Sequence, residues 1–110
     1  MPFSRRSPSP EVAALRAAAE GSCKQLRDQV REQARIIRSS AVGELTEADV
    51  ERMAEDIVAA ARARLDAAPH YQSPSADPEL QTTRREAAML MAAAARQADA
   101  ELRKAWRTRH

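Results

Sequence analysis

The segment that decides the fold is residues 45–69, LTEADVERMAEDIVAAARARLDAAP, because it holds one amphipathic helix with a signal at each end. Thr46 is a residue type preferred as a helix N-cap, and Asp49 three residues later resembles an acidic form of the capping box. Pro69 cannot continue a helix because its ring clashes with the preceding turn. The sequence therefore predicts a helix over residues 46–68. Its apolar face consists of Val50, Met53, Ile57, Ala61, Leu65 and Ala68.

The chain before this segment predicts a longer helix, over about residues 10–42. Ser9 is a good N-cap and Pro10 suits the first helical position, while Gly43 favours a helix end. Residues 1–10 carry three prolines and three serines and are expected to form a flexible leader. The later apolar residues of this helix step by four and three, as in the a and d positions of a coiled coil. This apolar line consists of Ala19, Cys23, Leu26, Val30, Gln33 and Ile37.

Residues 78–106 predict a third helix, with Asp77 as its cap and Pro78 at its first position. Within it, residues 87–95 carry no charge on any side. A helix that is apolar all round is usually covered on more than one side, and this segment is too short to span a bilayer. We therefore expect it to supply an association surface as well as part of the core, with Met89 and Leu90 at the second contact because they lie off the main apolar line. That line consists of Leu80, Ala87, Met91, Ala94, Ala98, Leu102 and Ala105. The predicted interface residues are Ala87, Met89, Leu90, Met91, Ala94 and, farther along the helix, Trp106.

The composition agrees with an all-α protein but predicts a thin core. The 110 residues include 25 alanines and only 16 leucine, isoleucine, valine and phenylalanine residues, and alanine buries little area. We expect a single helical domain over residues 11–110, either a three-helix bundle or a helical hairpin with coiled-coil-like packing. Residues 44–68, with seven acidic and three basic side chains, lie between two basic segments. These features favour a self-complementary bundle and leave oligomerisation open.

Residue types that carry catalysis or bind metals are scarce. The chain has two histidines, His70 and His110, and one cysteine, Cys23. Neither histidine has a cysteine or a second histidine at helical spacing, and two isolated glycines cannot form a phosphate-binding loop. Cys23 is predicted to be a buried, unreactive thiol because it lies on the apolar line of the first helix. The sequence therefore predicts a non-enzymatic protein without a metal, a cofactor or a small-molecule substrate.

The same composition predicts a cytoplasmic location. No apolar run approaches the roughly 18 residues that a membrane-spanning helix needs. The pair Arg5-Arg6 is not followed by the apolar stretch of a secretory signal. A single cysteine also excludes an internal disulfide. We therefore expect a protein that does not engage a membrane.

Basic side chains form a stripe along the first predicted helix. At about 100° per residue they fall within about 80° of one another and about 110° from the apolar line. Such a row suits the phosphates of a nucleic-acid backbone. The alternative is a solvated face, because Glu20, Asp28 and Glu32 are spaced to form local ion pairs and no aromatic residue is interleaved. The basic stripe consists of Lys24, Arg27, Arg31, Arg35 and Arg38.

A second basic cluster surrounds Trp106 at the end of the third predicted helix. Its cations suit the negative end of the helix dipole, with Trp106 as a cap on the bundle. They suit equally a contact with nucleic acid or an acidic protein, with Trp106 as the anchor. This C-terminal cluster consists of Arg103, Lys104, Arg107 and Arg109.

Two functions from different classes follow from these patterns. The first is a non-enzymatic interaction or assembly protein that uses residues 87–95 to bind itself or another helical protein. The second is a small nucleic-acid-binding accessory or regulatory protein, of phage, plasmid or bacterial type, that uses the two basic groups. The first hypothesis leads, because local ion pairs would use much of the charge of the stripe and no aromatic residue is interleaved to stack on bases. The sequence also shows no short turn between two short helices, as a helix-turn-helix motif would require. A fragment of a catalytic subunit is disfavoured by the missing chemistry.

Overall fold

The computed structural model describes residues 9–109 and contains three α-helices. They are α1 (Pro10–Ser39), α2 (Glu47–Asp66) and α3 (Pro78–Arg107), and these residues form no strand. Each helix packs against both of the others, so the all-α prediction is confirmed and the architecture is the three-helix bundle, not the hairpin. Most of the predicted leader lies outside the described residues, and its last residue, Pro10, already belongs to α1.

The first and third helices run in the same direction, and the second runs against both. Arg109 Nη1, just beyond α3, donates a hydrogen bond to Ser40 Oγ, just beyond α1, at 3.0 Å. Near the end of α3, the Arg103 guanidinium lies 3.8 Å from the Glu51 carboxylate near the start of α2. At 1.5 Å per residue, α1 and α3 are each about 45 Å long and α2 about 30 Å. The short α2 therefore covers only the C-terminal parts of α1 and α3.

The helices begin where their capping residues predict. Ser9 Oγ accepts a hydrogen bond from the Val12 N–H at 3.2 Å. Thr46 Oγ1 accepts from the Asp49 N–H at 3.1 Å, and Asp49 Oδ2 accepts from the Thr46 N–H at 2.9 Å, which completes the capping box. The hydrogen bonds from the Thr46 backbone and side chain lower the pKa of the Asp49 carboxyl. Asp77 Oδ1 accepts from the Glu79 N–H in the same way, at 3.0 Å.

The end of α1 differs from the prediction. The helix stops at Ser39, three residues before the expected end at 42, because Ser40 takes an extended conformation. Both the N–H and the hydroxyl of Ser40 donate to the carbonyl oxygen of Ile37, at 3.2 and 2.7 Å. Gly43, with a φ of +85°, serves the connecting turn, in which the Glu44 N–H donates to the Ala41 carbonyl at 3.0 Å.

The buried face of each helix is wider than the single line that the sequence predicts. Gln33 on the predicted line of α1 is only half-buried, while its neighbour Ala34 is buried; in α2, Met53 is half-buried and Ala54 is buried. The predicted core residue Ala68 is also half-buried, just beyond α2. The reason is that each helix faces two partners, so burial spreads across the directions of both. The largest fully buried apolar side chains are Val12, Leu15, Leu26, Ile37, Val50, Leu65 and Leu102.

Arg84 holds the loop between α2 and α3 in place through hydrogen bonds to two backbone carbonyls. Its Nε donates to the His70 carbonyl oxygen at 2.8 Å, and its Nη2 donates to the Ser73 carbonyl oxygen. His70 itself takes a φ of +71°, in the left-handed region. Tyr71 packs partly buried against the core beside it. The half-buried guanidinium thus holds the loop against α3 at the level where α2 ends.

Candidate interaction surfaces

The uncharged segment 87–95 is divided by the fold into a buried part and an exposed part. Ala87 and Met91, two of the predicted interface residues, are 2% and 3% exposed and belong to the core of the single chain. Met89 and Leu90 are 71% and 50% exposed. Ala87 and Met91 are therefore covered by α1 and α2, which is a correction to the predicted surface. Only the part around Met89 and Leu90 faces outward.

The other two predicted interface residues also contact the core. Ala94 is half-buried and borders the groove between α1 and α3. Trp106 packs partly buried against the core, in a recess that Glu47 and Val50 also line. The Arg109 guanidinium lies over the indole ring, 4.0 Å from its centroid, which is a cation–π contact. This arrangement matches the interpretation of Trp106 as a cap on the bundle.

Two charged residues flank the exposed apolar pair and were missed by the reasoning from sequence. Glu86 precedes Met89 by three residues, and Arg96 follows Ala93 by three; all four side chains are exposed. Neither Glu86 nor Arg96 forms an ion pair with another residue in the range 9–109. Glu86, Met89, Ala93 and Arg96 are spaced three, four and three residues apart, which places them on one side of a helix. This spacing could have been found in the sequence, but it points to a surface only once the outer side of α3 is known.

The basic stripe of α1 is exposed, and much of its charge is paired locally. Asp28 bridges Lys24 and Arg31, with both N–O distances at 3.3 Å, and Glu32 pairs with Arg35. The predicted local pairing is therefore found, although Lys24 uses Asp28 and not Glu20. Since exposed helix pairs of this kind are weak, they reduce the local positive potential without fixing the side chains.

Part of the stripe rims a groove on the side of the bundle away from α2. Arg27 and Arg31 line it together with Glu101 of α3, and its volume is about 250 Å³. Arg27 and Arg38 make no ion pair within the part of the chain that the structure describes. In this groove an unpaired charge of the stripe, that of Arg27, meets apolar surface. Its floor consists of Leu26, Val30, Ala94 and Ala98.

The C-terminal basic cluster does not extend the stripe. Arg103 Nε lies 2.9 Å from the Asp99 carboxylate, which raises the pKa of the guanidinium, and Glu51 lies on its other side. Arg103 also lines the groove between α2 and α3, whereas the stripe borders α1 and α3. Arg107 lines the recess at the start of α2 with Glu51. Lys104 and Arg107 of this cluster are both exposed, and neither forms an ion pair among residues 9–109.

Nowhere between residues 9 and 109 do three or more His, Cys, Asp or Glu side chains gather as a metal ion would require. None of the three helices has the length and apolar character needed to cross a bilayer.

Cys23 is 5% exposed on the inner side of α1. Burial raises the pKa of its thiol, and the positive charge of Arg27 lowers it to a smaller extent. Since the thiolate is the reactive form, we expect Cys23 to react slowly with a thiol reagent in the native protein and rapidly in denaturant. The measurement is the rate of labelling at fixed pH in both conditions.

A matched control moves the thiol to the exposed side of the same helix. Gln25 is exposed, so the variant Cys23→Ala, Gln25→Cys should react at similar rates with and without denaturant. Equal native and denatured rates for Cys23 itself would contradict its place in the core.

Comparison of the chain with protein families, with curated proteins and with solved structures found no match.

Proposed function

We propose that this chain is a non-enzymatic helical association protein that binds through the exposed part of the uncharged segment on α3. The observation that carries the proposal is the exposure of Met89 and Leu90, two adjacent large apolar side chains on a helix. Solvent-exposed apolar groups gathered in one place mark surfaces that another molecule covers. A cytoplasmic location is part of the same proposal.

The distribution of the remaining exposed apolar side chains supports this choice. The other large ones are Ile36 on α1 and Val42 in the turn that follows it. Neither adjoins another large exposed apolar side chain in sequence, whereas Met89 and Leu90 are joined by the exposed Ala88 and Ala93. The thin, alanine-rich core gives a second reason, because association adds buried area to a chain that has little of it.

Replacing Leu90 by glutamate should abolish association and leave the helix content unchanged. The new carboxylate would have to be desolvated in the interface, while in the free chain it would stay half-exposed. The measurement is the molar mass by light scattering of the parent and of Leu90→Glu, with circular dichroism to check folding.

The matched control is Val42→Glu, which adds the same charge to a more exposed apolar residue in the turn after α1, outside the uncharged segment of α3. It should associate as the parent does. A parent that runs as a compact monomer would contradict the proposal. A Leu90→Glu variant that unfolds would show that this side chain serves the core of the single chain.

Nucleic-acid binding is the second candidate, and the groove rimmed by the basic stripe favours it. Lys24, Arg31 and Arg35 each keep more than two thirds of their side-chain surface exposed even when paired. Phosphate binding by such a face would weaken steeply as salt is raised. The test is the fluorescence anisotropy of a labelled DNA duplex over a salt series, with the double variant Arg27→Ala, Arg38→Ala for comparison. Salt-independent or undetectable binding would remove this candidate.

A further inference from the structure

The outer side of α3 carries a strip of exposed residues with symmetric spacing. Successive members are four, three, four, three and four residues apart. At about 100° per residue they lie within about 80° of one another, on the side of the helix away from the buried Met91 and Ala98. This outer strip consists of Thr82, Glu86, Met89, Ala93, Arg96 and Ala100.

The spacing of the outer strip is that of the a and d positions of a coiled coil. It is also the same in both directions from position 91, which lies midway between Met89 and Ala93 and midway between Glu86 and Arg96. A second copy laid antiparallel over α3, with a two-fold axis at position 91, would therefore match the strip residue for residue. Met89 would face Ala93 of the second copy, and Glu86 would face its Arg96.

The charges on the outer strip favour the antiparallel arrangement of the two helices and disfavour the parallel one. Parallel copies in register would place Glu86 against Glu86 and Arg96 against Arg96, and like charges in such positions cost free energy. The antiparallel arrangement pairs each carboxylate with a guanidinium, and the two-fold axis makes the contact twice. Both groups are exposed and without an ion pair among the described residues of a single chain.

The shape of the strip also suits a second helix. Ala93 and Ala100 are small enough to let two backbones approach, and Met89 supplies a flexible apolar side chain that adapts to its surroundings. Leu90, 50% exposed, lies next to position 91, so the two copies of this side chain would come close to each other beside the axis.

We propose that the chain forms an antiparallel homodimer through the outer strip of α3, in which Glu86 of each copy pairs with Arg96 of the other. The inference rests on the proposed association function and narrows the partner to a second copy of this chain. In this dimer Leu90 lies at the edge of the interface beside the two-fold axis, and the pairing of Glu86 with Arg96 fixes the register of the two helices.

The experiment exchanges the charges one at a time and then together. Glu86→Arg and Arg96→Glu each turn two attractive contacts into two repulsive ones, so each should raise the dimer dissociation constant about tenfold or more. The double variant restores opposite charges and should return to within about threefold of the parent. An equimolar mixture of the two single variants should associate, because both of its cross-chain pairs are attractive. Sedimentation equilibrium over a concentration series measures all five samples, with circular dichroism to confirm folding.

The outcomes separate this inference from the proposed function. If the parent dimerises and Leu90→Glu does not, but the charge exchanges have no effect or the double variant is not restored, the association function stands and the antiparallel pairing is wrong. If the parent is monomeric at every concentration, both are overturned. Rescue in the double variant and in the mixture, with loss in each single variant, is the result expected of the antiparallel dimer.

Discussion

Replacing Ala87 by glutamate is expected to unfold most of the chain. Ala87 is 2% exposed within α3 and belongs to the apolar core, so a new carboxylate there would be surrounded mainly by apolar side chains. Burying an unpaired charge costs about 3–5 kcal/mol or more. Small domains have only about 5–15 kcal/mol to lose, and an alanine-rich core belongs at the lower end of that range. The measurement is urea unfolding followed by circular dichroism.

The matched control is Ala93→Glu, which makes the same substitution within the same uncharged segment. Ala93 is exposed on the outer strip, so the free energy of unfolding of the single chain should change by less than about 1 kcal/mol. The variant should lose association instead, as Leu90→Glu does. Equal stability of the two variants would mean that the rotation of α3 about its axis is wrong.

Two neighbouring isoleucines should respond very differently to truncation. Ile37 is 0% exposed and Ile36 is 41% exposed, one residue apart near the end of α1. Ile37→Ala removes buried carbon atoms and leaves a cavity, at a cost of about 2–5 kcal/mol in the free energy of unfolding. Ile36→Ala should cost about 1 kcal/mol or less, because much of that side chain is already in water.

Urea unfolding of both variants at the same protein concentration gives the comparison directly. The pair shares residue type, helix and helix propensity, so that the difference isolates burial. Similar losses from Ile36→Ala and Ile37→Ala would show that the end of α1 is frayed. A larger loss from Ile36→Ala would reverse the assigned inner and outer sides of α1.

Local chemistry alone determined the helices and their starting points. A cap is a short-range interaction, since the Thr46 and Asp49 side chains bond each other's backbone within one turn. For the same reason Ser9 and Asp77 could be recognised from their neighbours in the sequence. The apolar periodicity also identified the inner side of α1, including Cys23 and Ile37, because a strong alternation of apolar and charged residues leaves only one side to bury.

Only the tertiary structure decided how much of the uncharged segment of α3 a single chain covers. The apolar line through Ala87 and Met91 predicts the inner side of this helix, but residues 87–95 carry no charged side that must face water. The positions of α1 and α2 bury Ala87 and leave Met89 and Leu90 exposed. The tertiary structure also decided which basic side chains are paired with acidic ones. Arg103 belongs to the basic cluster in the sequence, but in the folded chain it lies beside Glu51 of α2. Caps and periodic faces act within a few residues of the chain, whereas the outer side of a helix is defined by neighbours that the chain reaches only after folding.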